Sequence, residues 1–301
     1  MREIPVLVGP TASGKTEIAV KLAEEMGAVV VNADSRKLYR HLDVGTAKPP
    51  VKYRHLYRLL DILEPCEEFS AHAWARLAER EIDEVLREGR PVFLEGASVL
   101  YLRALFFGFF PQPDIPEEIR EKAKALAESG EGYRILTERD PETAEKVHPH
   151  DLYRISRALE ILLATGKPIS WWRKQKETPK YRGVFVYVDV PREILYRRIE
   201  ERARRMFLEE GLIEETRKVL EMYPCFREWG KKVIAYRQAI EYLEGKYDLE
   251  TAIRKKAKAD KVLSRRQRRF MRSLKPLIVV SRDEAYERMK ELLAGFPGSP
   301  V

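Results

Sequence analysis

Residues 4–16 read IPVLVGPTASGKT. Ile4 to Val8 is a short apolar run rich in β-branched types that Gly9 and Pro10 stop, which predicts a buried strand entering a loop. Beyond the loop Ile18, Leu22 and Met26 recur every four residues, and Gly27 stands where a helix end favours a left-handed residue. GPTASGKT therefore matches G-x-x-x-x-G-K-[ST] between a strand and a helix, the context in which that pattern cradles phosphate. The expected phosphate-binding set is Gly9, Pro10, Thr11, Ala12, Ser13, Gly14, Lys15 and Thr16. The two glycines let the backbone N–H groups curl inward, Lys15 supplies a mobile cation, and Thr16 can hold Mg²⁺. The plain alternative is a chance glycine-rich turn. Even a genuine phosphate loop leaves nucleotide- or ATP-binding enzymes, kinases and diphosphate-using transferases open.

Outward from the loop the rhythm continues. Ala28 to Val31 predicts a second buried strand, Ser70 can cap a long helix striped by Trp74, Leu77, Ala78, Val85 and Leu86, and Val92 to Leu94 predicts a third strand. Strands alternating with helices give βαβ units and a parallel sheet. From Pro111 to about Lys180 apolar positions follow helical spacing, and the turn signals PQPDIP and TPKYRG bracket them. Val184 to Val190 returns to strand character, a basic helical region runs from about Leu195 to Leu274, and Leu277 to Val280 precedes a Ser281/Glu284 capping box. The expectation is an α/β fold with a P-loop NTPase-like parallel sheet flanked by helices. Its core covers 1–112 and 181–301, and a helical insertion domain covers 113–180.

The 301 residues, 44% of them hydrophobic, suffice for a real core, and no apolar run reaches the roughly 18 residues of a membrane span. A soluble, cytoplasmic monomer is expected. Cys66 and Cys225 lie far apart, each without a second Cys or a His at ligand spacing, which supports neither a disulfide framework nor a zinc site. A net charge of +8 favours a polyanionic partner. The bland alternative is a charge-rich surface laced with i,i+4 pairs such as Glu200 with Arg204 and Glu201 with Arg205.

The strand-end string NADSRKLYRHLDVGTAKPP places Asp34 at the sheet edge that faces the ligand crevice of open α/β folds. With GPTASGKT, the Asp34–Ser35 pair, Tyr39 and DVGTAKP, it resembles the tRNA dimethylallyltransferase (tRNA isopentenyltransferase) family, in its bacterial type without a zinc finger. RLLDI, the Leu100–Tyr101 pair, DPETAEKVHPHDLYRISRALEILLATGKPIS, RIEERARRM, EGLIEE, AYRQAIEYLEG and RRQ extend the resemblance over roughly residues 4–274. The chain departs from the family's Gly-Gly-Thr with Gly96, Ala97 and Ser98, from a frequent Gln with Lys37, from Gly-Tyr-Arg with Ala235, Tyr236 and Arg237, and from a Trp with Phe270.

The resemblance implies transfer of a dimethylallyl group from dimethylallyl diphosphate to the exocyclic amine of an adenosine next to the tRNA anticodon, with release of diphosphate. It implies Asp34 as general base, Ser98 and Arg202 on the diphosphate, and Mg²⁺ at Thr16. For tRNA it points to Asp34, Ser35, Arg36, Lys37, Arg120, Arg154, Arg157, Lys232, Tyr236, Arg237, Arg265 and Arg266. An allylic leaving group departs readily once its charge is neutralised and water excluded, and adenine must swing out of the anticodon loop to react. Arg254 to Lys275 holds eleven Lys or Arg against one acid, Asp260, a natural RNA face or else a solvated helix face. VFVYVDVPREILYRRIEER also suits a small-molecule or nucleotide kinase, and a catalytically silent RNA-binding module is a third reading.

Overall fold

The computed structural model describes residues 1–110 and 113–296. Pro111 and Gln112, which open the PQPDIP signal, lie outside the described residues. Two compact units emerge: residues 1–106 with 180–301, and residues 107–179.

The larger unit is built on a six-stranded parallel sheet in the order β3-β2-β4-β1-β5-β6. Its strands are β1 (Arg2–Val8), β2 (Val29–Asn32), β3 (Tyr57–Arg58), β4 (Val92–Gly96), β5 (Tyr181–Val188) and β6 (Leu277–Val280). Val6 of central β1 sits in register with Leu94 and Phe185. A sheet covered on both faces needs apolar side chains on both, and every residue of β2 and β4 is buried. Helices follow as α1 (Lys15–Met26), α2 (Ala71–Arg87) and α3 (Val99–Phe107). Ser70 caps α2 by accepting the Ala73 N–H, and Trp74 of α2 stacks on Tyr101 of α3 at 4.7 Å.

The smaller unit is helical, with α4 (Glu117–Glu128), α5 (Glu131–Arg139), α6 (Pro141–Ala144), α7 (Leu152–Thr165) and α8 (Ile169–Lys174). Its own core gathers Ala123, Leu136, Ile155, Leu159 and Ile161. Asp151 accepts the Arg154 N–H and starts α7.

After β5 the chain returns to helices α9 (Arg192–Leu208), α10 (Leu212–Met222), α11 (Phe226–Trp229), α12 (Tyr236–Leu243), α13 (Leu249–Met271) and α14 (Arg282–Ala294). The Ser281/Glu284 capping box opens α14 as expected. Two expectations need correction. The pairs Glu200–Arg204 and Glu201–Arg205 do not form: against α13 Glu200 pairs with Lys261 and Arg204 with Glu250 at 2.8 Å, while Arg205 pairs with Glu210 at 3.0 Å and Glu201 with Arg197 at 3.9 Å. Cys66 and Cys225 are joined in a disulfide across 159 residues of sequence, since the fold brings the loop after β3 beside the start of α11. Sequence spacing says nothing of such a meeting.

Candidate active site

The phosphate loop runs from the end of β1 to the start of α1, and Gly14 caps the helix at φ 89°, a backbone state that glycine adopts without strain. Two helices from the far end of the chain brace it. The Thr11 N–H donates to Gln267 Oε1 of α13 at 2.9 Å, and the Arg202 guanidinium of α9 donates to Thr11 Oγ1. Lys15 folds back, donating to the Pro10 carbonyl at 2.9 Å and to Ser13 Oγ at 3.4 Å. Burial, together with the neighbouring Lys37 and Arg202 charges, outweighs Glu95 and pushes its ammonium down to about 8.

A cavity of about 940 Å³ opens above this loop. Of the expected residues, Thr11, Ala12, Gly14, Lys15, Thr16, Asp34, Ser35, Arg36, Lys37, Ser98, Arg202, Lys232 and Arg266 line it. Gly9, Pro10 and Ser13 are buried and do not.

Asp34 stands two residues beyond β2. Its N–H donates to Asn32 Oδ1 at 3.0 Å and its Oδ1 accepts the Arg36 N–H at 2.9 Å. Oδ2 accepts no hydrogen bond among the described residues. The end of β4 presses on this loop so closely that a methyl group on Gly96 would lie 2.3 Å from the Ala33 carbonyl, so the position admits only glycine. Ser98 then accepts the Ser35 N–H at 2.9 Å.

Opposite lies a small buried cluster. Lys37 Nζ is 3.2 Å from Thr16 Oγ1 and 3.5 Å from Glu95 Oε2, and Thr16 Oγ1 is 3.3 Å from Glu95 Oε1. Lys37 is only 5% exposed, and its ammonium faces the phosphate loop. The Thr16 hydroxyl and Glu95 carboxylate are hard oxygen donors of the kind Mg²⁺ takes, and Lys37 shares both.

Arg202 also pairs with Asp260 at 3.3 Å, and Asp260 binds Lys256 at 2.6 Å. Burial raises Asp260, yet the two cations hold its carboxyl below the usual range. Burial also pushes the Lys256 ammonium down. The one acid of the basic stretch is thus an internal counterion, and Lys256 is 1% exposed, so the stretch is not a uniform surface face. Arg202 Nε is buried without a hydrogen-bond partner among the described residues.

The RNA set divides. Tyr236 is fully buried, its hydroxyl bonded to Glu215, so it has no ring face for a base; its expected role is corrected to support. Arg237 pairs with Glu241 at 3.3 Å. In the smaller unit Arg120, Arg154 and Arg157 reach Glu117, Asp151 and Glu160 at 3.4, 3.4 and 2.7 Å. Lys232, Arg265 and Arg266 are exposed and make no ion pair among the described residues.

Four residues carry structure that their types alone do not announce: Gln267, Glu95, Asp260 and Glu215. The Glu215 carboxylate accepts the N–H groups of Asp43, Val44 and Gly45 at 3.0, 2.9 and 3.2 Å, holding the DVGTAKP loop beside the cavity. Lys48 of that loop is buried and binds Asp43 at 2.8 Å. Gln267 and Glu215 both fall in strings quoted above, RRQ and EGLIEE, which was the available signal.

Among the described residues no helix is long and apolar enough to cross a membrane. A family model described as IPP transferase matches residues 37–274. A tRNA dimethylallyltransferase of Fervidobacterium nodosum is 37% identical over 300 residues, covering 96% of this chain and 95% of that protein. One of Myxococcus xanthus is 41% identical over 282 residues, covering 89% of each. The crystal structure of the full-length tRNA isopentenylpyrophosphate transferase from Bacillus halodurans superposes with a TM-score of 0.68 at 29% identity, covering 98% of this chain and 96% of that one.

Proposed function

The chain belongs to the IPP transferase family of tRNA dimethylallyltransferases, and from that premise we propose that it moves a dimethylallyl group from dimethylallyl diphosphate to the exocyclic amine of an adenosine beside the tRNA anticodon. The observation that carries this reading is the single cavity wall on which the phosphate-loop cations and the Asp34 carboxylate stand together.

Lys15 swings from its own loop to the diphosphate, and the Arg202 guanidinium that lines the cavity adds a second positive charge. Charge neutralisation there weakens the allylic carbon–oxygen bond, which breaks as the amine nitrogen bonds the same carbon. Asp34 accepts the amine proton through its unengaged oxygen, and diphosphate leaves with the electron pair. The adenine enters flipped from its loop, past exposed Arg36 and Lys232. Thr16 and Glu95 carry the hard oxygens that would hold Mg²⁺, whose chemistry there would be charge neutralisation, and the Lys37 ammonium already shares both. The reading extends to a cytoplasmic monomer, with the exposed arginines of α13 and of the smaller unit against the tRNA backbone. A kinase reading is not favoured, because the relatives compared transfer a prenyl group.

The test is mass spectrometry of nucleosides from tRNA incubated with protein and dimethylallyl diphosphate. Prenylated adenosine is the expected product. Nucleotide turnover without it would return the kinase reading.

A further inference from the structure

Lys37 stands where a phosphate-loop site would place its divalent metal, against the loop hydroxyl of Thr16 and the carboxylate of Glu95. We propose that Lys37 is a built-in cation of the phosphate site, so that the cavity holds a diphosphate without Mg²⁺. The proposal rests on the diphosphate reading above and deepens it.

The geometry fixes where the ammonium points. The turn that carries Lys37 is closed by its N–H on the Asp34 carbonyl at 3.2 Å, and the side chain runs inward until it is 5% exposed. Glu95, at the carboxyl end of β4, is 1% exposed. Thr16 Oγ1, Glu95 and Lys37 Nζ form a triangle with sides of 3.2, 3.3 and 3.5 Å. A magnesium ion demands oxygen ligands at about 2.0–2.1 Å in octahedral array. Lys37 already takes the Thr16 and Glu95 oxygens, so an ion drawing on both would have to displace the ammonium.

Lys37 is also not spent on its internal partners. An ammonium has three donors, and here two are used. The contact to Glu95 at 3.5 Å is longer than a strong charge-assisted hydrogen bond of about 2.7–2.9 Å. Lys37 lines the cavity with Lys15 and Arg202, so a diphosphate seated on the loop meets three cations. Glu95 keeps the buried charge paired while the cavity is empty of anion.

The test uses calorimetric binding of inorganic diphosphate to the full chain, in EDTA and in excess Mg²⁺. Wild type should change affinity by less than about threefold between the two buffers. Lys37→Gln and Lys37→Met, each checked by a melting curve, should lose about 10- to 100-fold in EDTA, the loss of one charge-assisted hydrogen bond. Most of that loss should return with Mg²⁺. Wild-type binding that collapses in EDTA would overturn the proposal without any variant, and if prenylation in Mg²⁺ persists the function itself stands. If no protein binds diphosphate in either buffer, the diphosphate reading falls with it.

Discussion

Ser98 Oγ accepts the backbone N–H of Ser35 at 2.9 Å and donates to the Ser35 hydroxyl at 3.2 Å. The end of β4 is thereby tied to the loop that presents Asp34, so the serine hydroxyl would position the proposed general base.

Ser98→Ala should therefore slow single-turnover prenylation by roughly 10- to 100-fold, the loss of about 1.5 to 3 kcal/mol, while Ser98→Thr stays mild. Asp34→Asn should cost about 10² to 10⁴ in the chemical rate with tRNA affinity little changed. Single-turnover rates alongside tRNA titrations check both. Equal rates for the alanine and threonine variants would deny the hydroxyl a role, and a near-normal Asp34→Asn rate would remove the base.

The loop and its flanking strand and helix were legible because local pattern fixes them: apolar run, Gly14 where φ is 89°, apolar spacing of four. The two-residue strand Tyr57–Arg58 gives no such pattern. Nor does periodicity name partners. It can tell that Tyr236 lies on a helix, yet not that its hydroxyl meets Glu215 and that its ring lies so close to Gly45 that a methyl there would be 2.4 Å away. Gln267 reaches Thr11 across 256 residues, a meeting that only the closed fold creates.

Lys15 gives a pH dependence. Burial first, and then Lys37 and Arg202, lower its ammonium to about 8 from a usual 10.5. As pH rises through 8 the free protein loses that charge, and diphosphate must restore the proton to bind. Affinity should be flat in this respect below pH 8 and fall by up to about tenfold per unit above it. For folding the sign is opposite: charging the buried ammonium costs stability below 8, and the cost fades between 8 and 10.5. Calorimetric diphosphate titrations from about pH 7 to 9.5 test it, with Lys15→Ala expected to flatten the upper limb. A wild-type limb no steeper than that of Lys15→Ala would contradict the assignment.

Ala235 takes φ 81° and ψ −57°, a strained state for a residue with a side chain, at the position where the family has glycine. Ala235→Gly relieves that strain at a smaller cost in unfolded-state entropy. A net gain of about 1 kcal/mol is expected, seen as a melting temperature raised by about 2 to 4 °C. A lowered melting temperature would mean that the buried methyl contributes more than the strain costs.

The Cys66–Cys225 bridge closes a loop spanning 159 residues, so it should restrict the unfolded chain strongly. Reduction with dithiothreitol, or Cys66→Ser, should lower stability by about 2 to 4 kcal/mol in denaturant titrations. Thiol counting on protein purified without reductant completes the test. Two free thiols, with melting unaffected by reductant, would show that the bridge is not formed.

The basic stretch of α13 is sorted by the fold: Lys256 is internal, Lys261 and Arg268 pair with Glu200 and Asp189, and Arg265, Arg266 and Arg269 stay exposed without ion pairs among the described residues. With Arg254, Lys255 and Lys258 of the same helix, and Arg272 and Lys275 beyond it, the last three are exposed to meet phosphate, and a cluster of like charge repels itself unless an anion lies against it. Phosphate contacts release condensed counterions, so tRNA affinity should fall steeply with salt, and each lost contact should reduce the log–log slope by about 0.7 to 0.9. Neutralising all three arginines to glutamine should weaken tRNA binding and flatten that slope by about two units or more, while diphosphate affinity and the melting curve hold. The melting curve separates this outcome from loss of fold, and the diphosphate titration separates it from damage to the cavity, which Arg266 also lines. A well-folded triple variant whose salt slope matched the wild type would show that tRNA lies elsewhere and that this face is only solvated.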